Sequence, residues 1–256
     1  MALRNAIFMH TQKTAGTSII HLARARYGED NVVSHGDWLS LPRGTVEEKA
    51  FVSGHFGFAF VERLLGERYS FTFLREPIDR IISLYSFCRS QPSNAYAIYR
   101  AASRLSLEEF VALGSKFSET PIERFECHSM IWNNQAWQLA RGWDYIPDDS
   151  RGPNVLDYRE DDILDMAKAN LERFDHVGLT ETFDRDVEII HRDLGFGRLR
   201  HIPHENSSGR DYRSSLSPAT LAAIKSVTQL DQEIYAFAKK LFRRRVRRFW
   251  NLRLGV

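Results

Sequence analysis

The chain has 256 residues, 43% of them hydrophobic, and a formal net charge of only +2, which suits one core of ordinary size and predicts a single domain over residues 1–256. Two cysteines are too few for a disulfide framework or a cysteine metal site, and no apolar run approaches the ~20 residues of a membrane-spanning helix. The N-terminus lacks the apolar region of a signal peptide, so we expect a cytoplasmic protein without a transmembrane segment.

Short apolar runs followed by helical patterns recur along the chain. Residues 5–9 predict a strand, and after a polar turn the apolar spacing of residues 18–28 predicts a helix. Three further strands are expected at 50–53, 69–74 and 174–179. This alternation predicts an α/β, P-loop-like domain with a central, mainly parallel sheet flanked by helices.

Nearly a hundred residues lie between the third and fourth predicted strands, with helical patterns at 106–114, 122–141 and 160–173 and a loop expected at 144–154. Within this region, about residues 89–160 are expected to form a helical insertion. Insertions at the carboxyl ends of parallel strands usually shape a ligand-binding site. The C-terminal region, about residues 217–250, begins with Ser-Pro and predicts one long amphipathic helix.

The segment HTQKTAGTS, residues 10–18, follows the first strand and opens the first helix. Free backbone N–H groups and the helix dipole favour an anion at such a position. Gly16 permits close approach of the backbone, and Lys13 adds a mobile positive charge. An ordinary N-capped turn does not need donors at this density, so we expect a phosphate-like group here. The candidate ligand-binding residues are Lys13, Thr14, Ala15, Gly16, Thr17 and Ser18.

The order of residues in this loop differs from that of a Walker A loop. A Walker A lysine follows the last glycine and precedes a hydroxyl that binds Mg²⁺, whereas Lys13 lies three residues before Gly16. The sequence QKTAGTS instead resembles the 5′-phosphosulfate loop of sulfotransferases that use 3′-phosphoadenosine-5′-phosphosulfate (PAPS). It is particularly similar to the carbohydrate sulfotransferases that include the heparan sulfate 2-O- and 6-O-sulfotransferases and their bacterial relatives.

This resemblance implies in-line transfer of a sulfuryl group from PAPS to a hydroxyl of a carbohydrate-like acceptor. The product nucleotide would be 3′,5′-adenosine bisphosphate, and no metal is required. Weaker matches follow in chain order at 54–58, 133–142, 176–184, 204–208 and 230–242. Two other function classes stay open from the residues alone, namely a P-loop-like nucleotide-dependent kinase and a non-enzymatic polyanion-binding domain.

The third predicted strand leads into the segment FLREPIDRIISLY. In the family, an arginine before the proline and a serine on the following helix hold the 3′-phosphate, and Arg75 and Ser83 occupy these positions. By the same resemblance, residues 177–181 would lie beside the adenine, and Ser208 with Arg210 would close over the 3′-phosphate. Alternatively, Arg75 forms an ordinary ion pair with a neighbouring carboxylate.

Two residues are candidates for the chemical step. Lys13 is expected to neutralise charge on the bridging oxygen as the sulfur–oxygen bond breaks. A sugar hydroxyl also has to lose a proton near neutral pH, for which histidine is the most suitable side chain. His55 occupies the position of the family's base, while His35 in the segment SHGDW is the competing candidate.

The insertion supplies the residues expected to contact the acceptor: Arg89, His128, Trp132, Gln135 and Arg141. Three of them (128, 132 and 135) share one helical face, which is either a sugar-stacking surface or part of the core. The basic sequence RRRVRR at 243–248 is either a solvated helix end or a weak contact for an anionic surface. No nucleic-acid partner is expected.

Overall fold

A computed structural model of the chain describes residues 3–34, 37, 41–115, 128–142, 157–199, 201–203 and 213–254, with the backbone alone at 43, 215 and 242–254. Within these residues, five parallel strands form a central sheet in the order β2-β3-β1-β4-β5. The strands are β1 (Ala6–Met9), β2 (Val32–Val33), β3 (Phe51–Gly54), β4 (Tyr69–Leu74) and β5 (His176–Leu179). The α/β class with a parallel sheet is therefore confirmed.

Four of these strands lie where the sequence predicts them. The edge strand β2 has only two residues, too few to give a recognisable pattern. The other four are buried along their whole length, as expected of parallel strands covered on both faces. Side chains alternate between the faces, since Phe8 joins one apolar cluster and its neighbours Ile7 and Met9 join the other.

Helices cover both faces of the sheet. They are α1 (Gly16–Tyr27), α2 (Arg43–Glu48), α3 (Phe58–Val61), α4 (Pro77–Ser90), α5 (Ala97–Arg104), α6 (Leu107–Ala112), α7 (Asn134–Ala140), α8 (Glu160–Glu172), α9 (Phe183–Asp193), α10 (Pro218–Val227) and α11 (Gln229–Leu254). Helices α1 and α9 contribute to the cluster around Phe8. Helices α4, α7, α8, α10 and α11 contribute to the larger cluster on the opposite face.

Two of the predicted helices are interrupted at one junction. The helix expected over 122–141 consists, in its described part, of one turn at 128–131 and then α7. The single C-terminal helix was a wrong prediction, because α10 and α11 are separated at Thr228. Asn133 lies at the interruption before α7 and bonds to both sides of the interruption between α10 and α11. Its backbone N–H donates to Val227 O (2.8 Å), and its Oδ1 accepts from Leu230 N (2.9 Å). The side chain thereby caps the first turn of α11.

The loop expected at 144–154 lies outside the described residues. In the part of the chain that the structure describes, the helices include none with the length and apolar character needed to cross a membrane.

Candidate active site

The carboxyl ends of three neighbouring strands meet at one edge of the sheet. Met9 at the end of β1 is in register with Gly54 of β3 on one side and with Thr72 of β4 on the other. The His10 N–H donates to Gly54 O (3.0 Å), and Thr72 Oγ1 donates to Met9 O (2.9 Å). The loop after β1 therefore begins between His55, which follows β3, and the strand that leads to Arg75.

This loop, residues 10–15, has an unusual backbone. Lys13 (φ 68°) and Ala15 (φ 62°) both lie in the left-handed region, which costs a non-glycine residue roughly 1–2 kcal/mol. Thr14 between them donates its Oγ1 to Thr11 O (2.7 Å) and so holds the turn. Within the described part of the chain, the backbone N–H groups of residues 12–17 have no hydrogen-bond acceptor. Such consecutive N–H groups at a helix N-terminus form a concave anion site.

Gly16 is required for a reason that the sequence did not show. A Cβ atom at this position would lie 2.0 Å from the imidazole of His10. That imidazole is buried and lies between the rings of Phe8 (5.2 Å between centroids) and His55 (4.4 Å). The glycine therefore admits His10 beneath the start of α1, and this contact requires a residue without a side chain at position 16.

Three of the candidate ligand-binding residues carry hydroxyls, namely Thr14, Thr17 and Ser18, and these hydroxyls are not equivalent. Thr14 and Ser18 are buried, and the Thr14 hydroxyl already donates within the loop. Thr17, in contrast, is exposed on the first turn of α1. Of these three side chains, Thr17 is thus the one positioned to meet an incoming anion from solvent.

Lys13 lies at the edge of this site and is partly buried. Its Nζ lies 3.7 Å from the centroid of the Phe87 ring, on α4. Burial lowers the pKa of Lys13 to about 8; the Cys88 thiol opposes this shift, and the Arg75 guanidinium adds to it. The pKa is low because little in the protein offsets the charge, and a bound anion would do so.

The backbone of Arg75 is held from two sides. Its N–H donates to Gln135 Oε1 (2.9 Å), and its carbonyl accepts from Gln135 Nε2 (3.0 Å). The Arg75 guanidinium donates to Lys13 O (3.2 Å) and so links the turn after β4 to the anion loop. Burial lowers the pKa of Arg75, against the nearby carboxylates, but an arginine remains cationic at neutral pH.

The ion-pair alternative for Arg75 is not found in the described structure. Glu76 instead accepts from Asp79 N (3.0 Å) to cap α4, and it pairs with Arg213 (3.4 Å). Ser83 is half-buried on α4. It lies one turn before Phe87 and therefore on the same face of the helix, beside the ring that Lys13 contacts.

His55 has a defined orientation. Its Nδ1 lies 2.8 Å from His10 O, and because a carbonyl can only accept, Nδ1 must carry the proton. The neutral imidazole therefore has its lone pair on Nε2, the arrangement that a general base needs. Gln138 Nε2 donates to the same His10 carbonyl (3.1 Å) and to Phe56 O (2.8 Å), which fixes the segment around the histidine. His35 lies outside the described residues.

The residues predicted to contact the acceptor are dispersed. His128, Trp132 and Gln135 are only 4%, 5% and 0% exposed, so the shared face belongs to the core and not to a sugar-stacking surface. Arg89 donates to Tyr85 Oη (2.9 Å) and lies about 160° around α4 from Phe87. The structure therefore does not bring these four residues to the anion loop.

Arg141 remains beside the site. It is exposed at the end of α7, and its carbonyl accepts from Ala59 N (3.0 Å). A Cβ atom on Gly57 would lie 2.1 Å from that oxygen, so the glycine permits this close approach. The contact keeps Arg141 near the segment that follows His55. The remaining predicted residues, Ser208 and Arg210, lie outside the described residues.

Sequence reasoning missed the buried polar groups beneath the site. Asp231 accepts from Ala136 N (2.8 Å) and lies 3.9 Å from the Arg80 guanidinium, with both side chains fully buried. Burial raises the pKa of Asp231 to about 6, opposed mainly by Arg80. These residues fall in family-like segments, but no local pattern in the sequence shows that they support α7 and, through Gln135, Arg75.

Glu181 makes a similar link near the segment expected beside the adenine. Its Oε1 accepts from Glu76 N (2.9 Å), and burial, together with the charge of Glu181 and a hydrogen bond to it, raises the pKa of Tyr235. Glu181 thus joins the end of β5 to the start of α4. Among the described residues, no three His, Cys, Asp or Glu side chains are grouped closely enough to hold a metal ion.

Comparison with known proteins agrees with this arrangement. The sequence is 22% identical, over 280 residues, to heparan-sulfate 6-O-sulfotransferase 2 of Gallus gallus, covering 93% of this chain and 67% of that protein. The profile of the Sulfotransferase family matches residues 4–250, which include every strand of the sheet and the candidate active site. The chain therefore belongs to the sulfotransferase family, as the resemblance of its anion loop predicts.

Proposed function

We propose that the protein transfers a sulfuryl group from PAPS to a hydroxyl of a carbohydrate acceptor. The observation that carries this proposal is the contact between two cationic anion-binding segments: the guanidinium of Arg75 donates to the carbonyl of Lys13. Membership of the sulfotransferase family indicates the type of reaction. The two segments suit PAPS, the donor that we propose for it.

The spacing of the two segments suits a nucleotide with phosphates on both sides of its ribose. The anion loop follows β1 and Arg75 follows β4, which are adjacent strands about 4.8 Å apart. The 5′-phosphosulfate would occupy the loop, and the 3′-phosphate would lie at Arg75 and Ser83. ATP carries its phosphates in one chain and would leave the arginine side unused, so the arrangement favours PAPS.

The side chains have separate tasks in the proposed reaction. The acceptor oxygen attacks sulfur in line, a new oxygen–sulfur bond forms, and the bond from sulfur to the 5′-phosphate oxygen breaks. The Lys13 ammonium stabilises the electron pair left on that oxygen. Nε2 of His55 takes the hydroxyl proton, and the backbone N–H groups of residues 12–17 hold the phosphate.

The proposed class of acceptor rests on the similar protein of Gallus gallus and on one exposed arginine near His55. The similar protein of Gallus gallus is by name a heparan-sulfate 6-O-sulfotransferase, which favours a carbohydrate acceptor. Arg141, exposed beside the segment after His55, is suited to an acidic or hydroxyl group of such an acceptor. We therefore propose a saccharide hydroxyl as the site of sulfation.

One set of measurements tests this function. Thermal stability should rise with 3′,5′-adenosine bisphosphate in the absence of Mg²⁺, by about 2.7 kcal/mol at a hundredfold excess over Kd. ³⁵S-labelled PAPS should then label desulfated heparin. Stabilisation by ATP with Mg²⁺ alone would instead indicate a kinase, and stabilisation by heparin alone a polyanion-binding domain.

Matched arginine variants show whether the nucleotide binds at the proposed site. Arg75→Ala should reduce the stabilisation by 3′,5′-adenosine bisphosphate, whereas Arg89→Ala should leave it unchanged. Both arginines lie on or beside α4, but Arg89 contacts Tyr85 and is turned away from the anion loop. Equal losses in the two variants would contradict the proposed donor site.

A further inference from the structure

We propose that three aromatic residues, Phe87, Tyr96 and Tyr99, form the surface on which a sugar ring of the acceptor rests. We call them the aromatic strip. This inference rests on the proposed function and extends it, because it assigns the acceptor site to residues that lie outside the set predicted from the sequence.

Two rings of the strip are exposed to an unusual degree for apolar side chains, and Tyr99, which contacts both, is half-buried. Phe87 is 38% exposed and Tyr96 is 58% exposed, and among the described residues the other large hydrophobic side chain with comparable exposure is Leu3 at the N-terminus. Single exposed apolar residues are ordinary, but a contiguous group of them marks a binding surface.

The three rings contact one another in series. The centroids of Phe87 and Tyr99 are 6.0 Å apart, and those of Tyr96 and Tyr99 are 5.1 Å apart, both pairs being edge-to-face at 81°. Such pairs are mutually stabilising. Because Phe87 lies on α4 and the tyrosines lie at the start of α5, the strip is continuous across two helices.

The strip begins at the catalytic lysine. Phe87 is the ring beneath Lys13 Nζ, at 3.7 Å. Transfer requires the acceptor oxygen to come within about 3–3.5 Å of sulfur, and Lys13 is proposed to lie at the oxygen that leaves that sulfur. A molecule resting on the strip would therefore present its hydroxyl group next to the bond that breaks.

The chemistry of the strip selects among possible occupants. The C–H groups on one face of a sugar ring are apolar and slightly positive, so they suit the negative face of an aromatic ring, while tyrosine hydroxyls can bond to the hydroxyls of the sugar. A stable protein interface needs about 800 Å² from each partner, far more than three side chains offer. One or two sugar rings match the strip.

Tyr96→Ala is the decisive variant because Tyr96 is the most exposed of the three rings and does not contact Lys13. With desulfated, N-acetylated heparin as acceptor, its KM should rise about three- to tenfold, the range of one aromatic contact. The kcat and the affinity for 3′,5′-adenosine bisphosphate should stay unchanged, and the melting temperature should fall by only a few degrees, because the variant loses the Tyr96–Tyr99 contact but no core residue. Tyr96→Phe should retain most of the acceptor affinity, since it keeps the ring.

Leu3→Ala is the matched control, since it removes a similarly exposed apolar side chain far along the chain from the strip. An unchanged KM in Tyr96→Ala, with nucleotide binding and sulfate transfer intact, would overturn the aromatic strip and leave the proposed function standing. Transfer to glycerol but to no saccharide would also overturn it. Absence of both nucleotide binding and transfer would refute the proposed function itself.

Discussion

The two segments that we propose to bind anions follow neighbouring strands, yet they are built in opposite ways. In the loop after β1, the backbone N–H groups of residues 12–17 have no acceptor in the described structure, and two residues have positive φ. In the turn after β4, the N–H and carbonyl of Arg75 are both bonded to Gln135. The first segment offers its backbone to a ligand, whereas the second fixes its backbone and offers a side chain.

Because of this difference, we expect the two segments to have different roles in catalysis and binding. Strained backbone at a functional site is often held in place by its surroundings so that it meets charge as that charge develops. A rigid turn instead positions a guanidinium for the ground state of the donor. Changes on the loop side should therefore reduce the rate, and changes on the turn side should reduce binding.

The largest effect is expected on the loop side, at His55, whose orientation is set by the loop carbonyl of His10. His55→Ala should reduce turnover roughly a hundredfold to ten-thousandfold while nucleotide binding stays nearly intact, because a general base is lost. The acidic limb of the pH–rate profile should flatten. Near-normal turnover in this variant, with loss of turnover in His35→Ala at unchanged melting temperature, would assign the base to the SHGDW segment.

Lys13→Ala should lower turnover about a hundredfold to a thousandfold, the range for removing one stabilising group from a developing negative charge. The Kd for 3′,5′-adenosine bisphosphate should change by far less, because the lysine acts mainly when the bridging oxygen becomes anionic. Calorimetry and single-turnover kinetics measure the two quantities. Equal losses would place Lys13 with the binding groups and remove the contrast between the segments.

Arg75→Ala should show the opposite pattern. The affinity for PAPS should fall by about 1.5–3 kcal/mol, the range of a hydrogen bond to a charged group. Adenosine 5′-phosphosulfate, which lacks the 3′-phosphate, should bind almost as it does to the unaltered protein. If both donors weaken alike, Arg75 has a structural role and the proposed 3′-phosphate site is wrong.

A pair of glutamine variants compares the supports of the two segments. Gln135→Ala removes both partners of the Arg75 backbone, so unfolding free energy should fall by about 1–3 kcal/mol and nucleotide affinity should fall with it. Gln138→Ala removes the side-chain N–H donor to the carbonyls of His10 and Phe56. It should reduce turnover more than nucleotide binding. Denaturant unfolding, calorimetry and turnover assays measure stability, affinity and rate, and the same pattern in both variants would contradict the proposed difference between the two segments.

The smallest effect is a proton balance. Because burial lowers the pKa of Lys13 to about 8, about half of the molecules carry a neutral lysine at pH 8, and an anionic ligand should raise that pKa again. Binding of 3′,5′-adenosine bisphosphate should therefore take up about half a proton at pH 8, where the phosphates of the nucleotide, with a second pKa of about 6, are already ionised. Calorimetry in buffers of different ionisation enthalpy detects this uptake. Lys13→Arg should abolish it, and uptake that persists there would have another source.

The sequence by itself determined the fold class, four of the five strands and the position of the anion loop. These features depend on local patterns: apolar runs of strand length, helical spacing, and a polar turn at a strand–helix junction. The family resemblance of residues 10–18 has the same local origin, since the loop motif is continuous in the chain. The two-residue strand β2 was missed because it is too short to carry a pattern.

Only the tertiary structure decided which distant residues meet. Gln135 is 60 residues from Arg75 and was expected to contact the acceptor, but burial and two hydrogen bonds make it a support for that turn. Asn133 separates α10 from α11 through bonds to residues nearly a hundred positions away. Such contacts depend on strand order and helix packing. These separate in space some residues that helical periodicity alone would assign to one surface. For the same reason the aromatic strip, which joins residues of two helices and reaches Lys13 through Phe87, is visible only in the folded chain.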